Sequence, residues 1–514
     1  MTVYAVAYGT QSKGTPIGKD LKNGRSVRLK ESHRSTHIVG SPAMGKSNFM
    51  LNCILEDIAR NDKAIVVLDP HTDLAKAVAL KCAPDQAHRV TYFDPHTQFK
   101  QGKSMLGLNP FQVTDLVVEY EEKVQAILDV FAHSWYGDYR NAPLMQNTLE
   151  TLVRTLLKAY PSEATSFLHM LLLTELTDAG DLLRAKISLF VQDNPALSQN
   201  WREWIEISNR MQLKADIASS RQKIKHVISS DILSAILCQP TSAPCFDFRK
   251  VIAQKGVLLV GLRGLDKEGT RLIGSFILTQ LLATVKLTKE EDRGPCHIYA
   301  DEFHNFSPES FVEIIDQARK FNLFCTIAHQ RLNQLNEDTI SSVFNCENVV
   351  VFRVHPDDAQ KLRKHFRTSK GYLSPEVLSR LKKWDALVKY SDNRSIGQAG
   401  LTTLQEKRPE NREVAAEIWK RSISQGRSIA EIERYKAQIE QSLMIPKEEK
   451  PPSPVKPVDS NTRQKGKKPS LSPPKPDDAD FRQKGKRPPS AQPAVGKADT
   501  SNKVKGASGE KQSV

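Results

Sequence analysis

The stretch CHIYADEFHNF, residues 296–306, ends a short apolar run in two adjacent carboxylates, Asp301 and Glu302. Side by side, they repel. A strand emerging into solvent tolerates such a pair, and so does a site where a divalent cation sits between acid and phosphate. The second reading needs a phosphate-binding partner elsewhere in the chain, and the sequence supplies one. Gly40, Ser41, Pro42, Ala43, Met44, Gly45, Lys46 and Ser47 fit the spacing GxxxxGK[ST], follow the apolar stretch THIVG and precede the helical sequence NFMLNCILEDIAR. Strand, glycine-rich loop and helix in that order form the context in which this motif binds nucleotide. Gly40 and Gly45 permit backbone conformations that turn successive N–H groups toward phosphate oxygens, and the start of the helix adds its dipole. Lys46 brings a cation to the β- and γ-phosphates, and Ser47 brings a hydroxyl for Mg2+. Asp301 then reads as the acid that holds the ion through water, and Glu302 as the group that polarises the water attacking the γ-phosphate.

Positioning these groups requires a sheet. Eight short, nearly continuous apolar runs are strand candidates: 36–40, 63–69, 89–93, 256–262, 297–301, 323–329, 348–354 and 386–390. Helical sequence alternates with them, so the fold class is α/β with a mainly parallel sheet buried on both faces. From 115 to 239 the spacing of apolar residues is helical instead, as in EYEEKVQAILDVFAH and LMQNTLETLVRTLLKAY. This block reads as a large all-α insertion, against the plainer reading of ordinary surface helices, and an insertion accounts for the distance between the two motifs. The expected organisation is N-terminal strands and the first half of the nucleotide domain at 1–114, the insertion at 115–239, the second half at 240–395, C-terminal helices at 396–445, and a tail at 446–514.

The 514 residues, 39% hydrophobic and 26% charged, suit a soluble globular class with room for more than one domain. The net charge is +15, and the tail carries +8 of it together with 12 of the 28 prolines. Such a segment buries too little apolar surface to offset its ordering entropy and is expected to be disordered. Its repeats RQKGKKPS and RQKGKRPPS are either flexible phosphate contacts or a solvated linker. The seven cysteines are scattered without a CxxC pair, which argues for buried thiols rather than a zinc or disulfide frame. The apolar run FLHMLLL is too short to span a bilayer, and the N-terminus lacks the pattern of a signal peptide. DPHT occurs at 69–72 inside DPHTDL and again at 94–97. Both copies read as strand-end turns in which Asp69 and Asp94 accept backbone hydrogen bonds, rather than as a metal site at His71 and His96.

Several stretches taken in order resemble the HerA/FtsK-like P-loop ATPases, especially the branch of TraG/TraD-type conjugative coupling ATPases. RSTHIVGSPAMGKSNFM is similar to that family's phosphate-loop region, AIVVLDPHTDL to the segment after its next strand, and GLNPF to its NP motif. WYGDYRNAPLMQNTLETL resembles the start of its helical insertion, IYADEFHNF its acidic strand end, and TIAHQRLNQL its glutamine motif. The similarity covers roughly residues 17–440. It implies a RecA-like P-loop NTPase with Mg2+ as cofactor, bound through Ser47 and Asp301. It further implies Glu302 as the water-activating group, Gln330 as the sensor of the γ-phosphate, and Arg319 as the arginine reaching into a neighbouring subunit's site, with Arg353 as its rival. The implied partners are DNA, further copies of the chain in a hexameric ring, and a relaxase or secretion channel. The implied location is the cytoplasm, with any membrane association made through a partner, because the 39 residues before Gly40 form no span.

Two functions of different class fit these residues. One is a DNA translocase or coupling ATPase stimulated by DNA. The other is an adaptor that binds nucleotide only in order to assemble and then recruits a DNA-processing or effector protein. The sequence carries no LSGGQ-like signature, kinase loop or nuclease constellation.

Overall fold

The computed structural model describes residues 14–29, 34–206, 210–306, 320–369, 371–391 and 396–443, together with 312, 315 and 316. The expectations for Arg319 and for the tail fall outside these residues. Among them, the strands are β1 (Thr15–Asp20), β2 (Ser26–Leu29), β3 (Thr36–Val39), β4 (Ala64–Asp69), β5 (Val90–Phe93), β6 (Val257–Gly261), β7 (Cys296–Ala300), β8 (Leu323–His329), β9 (Asn348–Val351), β10 (Arg367–Thr368), β11 (Gly371–Tyr372), β12 (Asp385–Ser391) and β13 (Ile396–Thr403). Eleven of them form one sheet in the order β2-β1-β13-β12-β9-β3-β8-β7-β4-β6-β5, and β10–β11 stands apart as a ribbon.

The run from β9 to β5 is parallel throughout. β12, β13, β1 and β2 extend it antiparallel. The parallel strands are buried on both faces. Along β4, Ala64, Val66 and Leu68 face one core, while Ile65 and Val67 face the other. The first core lies beneath the helix Lys267–Leu287 and the insertion. The second lies beneath the helices Lys46–Arg60, Asp73–Lys81 and Arg412–Ser424.

Each strand predicted from the apolar runs is present. The segment from 396, predicted as helical, instead begins with β13. Its sequence IGQAGLTT lacks apolar alternation, and its seven-residue pairing with β12 makes the strand. Between Leu116 and Leu237 every regular element is helical or 3-10. Asp115 opens that block by accepting the N–H groups of Val117 and Val118 at 3.1 and 3.2 Å. Asn109, in GLNPF, ties its two ends together. Its amide donates to the carbonyls of Thr165 and Pro240 at 2.8 and 3.0 Å, and its own N–H meets the Ser242 hydroxyl at 3.0 Å.

The helix Lys267–Leu287 is long and apolar enough to cross a membrane. Its most apolar window is 78% buried, however, and it packs on the insertion, with Phe276 edge-on to Phe131 at 6.1 Å. Interrupting Thr, Ser and Gln residues disguise it in a count of unbroken apolar runs. All seven cysteines are buried and unpaired.

Candidate nucleotide site

β3 ends at Val39, and the chain turns at once into the loop 40–45 before the helix Lys46–Arg60 begins. Two neighbours pin the turn: Gly40 N–H donates to the His329 carbonyl at 3.3 Å, and Ser41 N–H to the Arg353 carbonyl at 2.7 Å. Ala43 sits at φ 60 and Gly45 at φ 117, the left-handed conformations that let consecutive amides converge on an anion. A side chain at 45 would also strike the Trp384 ring, since an added Cβ lies 2.8 Å from Cε3.

Lys46 is buried to 6% exposure, and its Nζ bonds the carbonyls of Gly40 and Ser41 at 2.7 and 3.3 Å. Desolvation holds the ammonium below the usual lysine range despite the opposing pull of Glu302 and Asp301. The Ser47 hydroxyl donates to Asp301 Oδ2 at 2.9 Å. Burial raises the Asp301 carboxyl, the Ser47 hydrogen bond works against this, and the Glu302 charge adds to it. Two hard oxygen ligands from opposite motifs therefore touch, the donor chemistry that suits Mg2+.

Glu302 turns the chain through φ 44, an uncommon conformation for a side chain of its size, and its N–H donates to Asp301 Oδ1 at 3.0 Å. It is 7% exposed. Gln330 Nε2 donates to Glu302 Oε1 at 2.7 Å, whereas Oε2 is buried without a hydrogen-bond partner. A carboxylate oxygen without a hydrogen-bond partner can accept a proton. His304 Nδ1 stands 3.6 Å from Oε2. The sequence reading did not single out His304; its place two residues after Glu302 is the only cue.

The sheet order explains why these groups meet. β8 lies between β3 and β7, so Gln330, at its C-terminal end, stands between the phosphate loop and Asp301–Glu302. Asp69 is nearby but committed. It accepts the N–H groups of His71, Leu74 and Ala75 at 2.8, 2.7 and 3.1 Å and so caps the helix Asp73–Lys81. Asp94 caps its own turn through Thr97 N–H at 3.1 Å. The first DPHT copy is a strand-end turn, whereas the second opens the helix Pro95–Lys100, with Asp94 as its N-cap and Pro95 at its first position. Arg353 is exposed, and its carbonyl is bound to the loop of its own chain.

No protein-family model matches the sequence, and no curated protein matches it. Solved structures do. The bacterial conjugative coupling protein TrwBdeltaN70, in an unbound monoclinic form, superposes with a TM-score of 0.56 at 15% identity, over 78% of this chain and 92% of that one. The plasmid coupling protein TrwB in complex with ADP and Mg2+ gives 0.56 at 16% identity, over 78% and 91%. Its complex with a non-hydrolysable ATP analogue gives 0.56 at 15%, over 78% and 92%. At these identities the likeness carries the fold: the chain has the RecA-like P-loop NTPase architecture of that conjugative coupling protein.

Proposed function

We propose that the chain is an ATP-hydrolysing motor of the HerA/TraG type, a coupling ATPase that moves DNA through a ring of its own copies. The observation that carries the proposal is the convergence of Ser47, Asp301, Glu302 and Gln330 from three separate strand ends, through contacts of 2.9 and 2.7 Å. The amides of residues 40–47 cradle the phosphates. On nucleotide binding, Lys46 exchanges its two loop carbonyls for phosphate oxygens. Ser47 and Asp301 would hold Mg2+, which would supply positive charge beside the phosphates. Glu302 Oε2 takes the proton of the attacking water, and Gln330 registers the γ-phosphate while holding the other carboxylate oxygen. The complexes of TrwB with ADP and Mg2+ and with an ATP analogue support this reading. Arg319 of the neighbouring copy completes the site in trans, with Arg353 as the alternative. The ring is hexameric and cytoplasmic, and it meets a relaxase or a secretion channel through protein contacts.

One feature favours the adaptor reading. Large apolar side chains stand exposed on the insertion, among them Val117 at 94%, Leu189 at 60% and Leu144 at 59%, and they offer apolar area to a protein partner. Measuring ATP hydrolysis with and without single- and double-stranded DNA, alongside the oligomeric mass, separates the two. The motor is stimulated by DNA as an oligomer, and an unstimulated rate would overturn it. Arg319→Ala and Lys46→Ala chains, each inactive alone, regain part of the activity when mixed if the arginine acts in trans. No recovery in a proven mixed oligomer would assign that role elsewhere.

A further inference from the structure

Gln330 reaches Glu302 by a side chain with three rotatable bonds, so something must hold the backbone from which it springs. Immediately before it, His329 is fully buried, and so is His37 on the neighbouring strand β3. Their Nε2 atoms are 2.7 Å apart. The ring planes differ by only 11° with centroids 4.9 Å apart. Nitrogen-to-nitrogen contact at that separation means the rings lie end to end in one plane, joined by an N–H···N bond rather than stacked face to face.

The protons of this pair are fixed by their surroundings. His329 Nδ1 lies 2.9 Å from the Arg331 carbonyl and must donate to it. Its Nε2 is therefore bare and accepts from His37 Nε2–H. His37 Nδ1 is then also bare, and it is buried with no hydrogen-bond partner. Leaving an acceptor unpaired there costs stability. What the pair provides is position: the ring of His329 is fixed to β3, and its carbonyl is bonded to Gly40 N–H at 3.3 Å. On the far side, the Gln334 side-chain oxygen accepts the N–H groups of Gln330 and Arg331 at 3.1 and 2.9 Å.

We infer that His37, His329 and Gln334 are positioning residues that set Gln330 against the phosphate loop, so that its amide meets Glu302 and the γ-phosphate in register. The inference rests on the role given to Gln330 above. The test compares substitutions of equal polarity but different reach. His37→Gln places an amide N–H where Nε2–H was, whereas His37→Asn is too short to reach His329. The expected result is that His37→Asn lowers kcat about tenfold, with the KM for ATP and the affinity for a non-hydrolysable analogue changed less than about twofold. His37→Gln restores most of the rate. In a Gln330→Ala background, neither substitution lowers kcat further. Gln334 is exposed, so its variants test the same restraint without burdening the core: Gln334→Met slows turnover, and Gln334→Glu, which keeps the acceptor, does not.

Equal losses in both backgrounds, or equal losses for His37→Asn and His37→Gln, would overturn the inference. If Gln330→Ala is slow while His37→Asn and Gln334→Met turn over normally, the inference alone fails. If Gln330→Ala itself hydrolyses ATP normally, the assigned role of Gln330 fails and takes the inference with it.

Discussion

The helix Lys46–Arg60 carries a buried charge at each end, and the strand β7 answers both. At the N-terminal end, Lys46 and Ser47 meet Asp301 and Glu302. At the C-terminal end, Asp57 meets Tyr299, whose hydroxyl donates to Oδ2 at 2.7 Å. Lys63 Nζ lies 3.2 Å from the same oxygen, and Arg60 binds Oδ1. Asp57, Lys63 and Tyr299 are at most 2% exposed. Burial alone would raise the Asp57 carboxyl, but Lys63, His297 and Arg60 outweigh it and hold the group below the usual range. At the other end, burial prevails: Asp301 is raised, Lys46 is lowered, and Glu302 keeps a bare oxygen. Both clusters join the same helix to the same strand. One gives its central carboxylate, Asp57, three close partners and acts as a fastening. The other leaves them short of partners, the condition in which they gain most from a ligand that brings phosphate and a cation.

Exchanging the two ends in an experiment should separate these roles. Lys46→Ala is expected to lower ATP hydrolysis at least about 1,000-fold, by removal of a transition-state charge partner, while the unfolding midpoint stays level or rises slightly. Asp57→Ala should do the opposite. It removes the buried carboxylate that Lys63, Arg60 and Tyr299 share and should cost about 3–5 kcal/mol of stability, with turnover of the folded fraction within about twofold of the parent. Denaturant titrations and single-turnover assays on both variants check the pair, and a Lys46→Ala chain that unfolds as readily as Asp57→Ala would erase the distinction. Within the open cluster, Glu302→Gln keeps the carbonyl that accepts from Gln330 but loses the proton acceptor. Hydrolysis should fall about 100-fold, with ATP·Mg2+ still bound and the oligomer persisting in its ATP form.

A smaller effect sharpens the contrast through pH. His133, His169, His329 and His365 are pushed by burial from 6.5 to about 4, and His37 lies well below its ordinary value. The unfolded chain binds protons at these rings first. Their contribution is complete above pH 6.5 and is lost as pH falls toward 4, at about 1.4 kcal/mol per pH unit for each ring titrating. The Asp57 carboxyl, held low, stays ionised in the folded chain, so its own loss begins only at the acid end of that window, where the unfolded carboxyl starts to bind protons near its ordinary value of 3.8. Unfolding free energies measured at several pH values between 7 and 4.5 should show the decline, and a flat profile would contradict it.

The open cluster was far more legible in the sequence than the closed one. Gly40–Ser47 is a contiguous motif whose chemistry is local, and Asp301–Glu302 ends an apolar run, so type and spacing were enough. Gln330 needed the ordered resemblance as well, because a glutamine at a strand end has no signature of its own. Asp57, Tyr299, His37 and His329 are ordinary residues of a helix and three strands, and their pairing depends on which strands are neighbours. That order follows from long-range packing, which no local window encodes. β13 escaped for a related reason: its glycines and polar residues become a strand only against β12.

The position of β3 also bears on how the chain is made. Its two neighbours in the sheet are β8 and β9, and His37 and His329 are 292 residues apart. At about 5–20 residues per second, a ribosome needs roughly 15–60 s to synthesise that interval. Until then β3 has no edge to pair with, and the loop that follows it has neither the His329 nor the Arg353 carbonyl to hold its turn. The GK[ST] motif is written in the first tenth of the chain. A nascent chain therefore carries the motif well before the strands that hold its turn have been made.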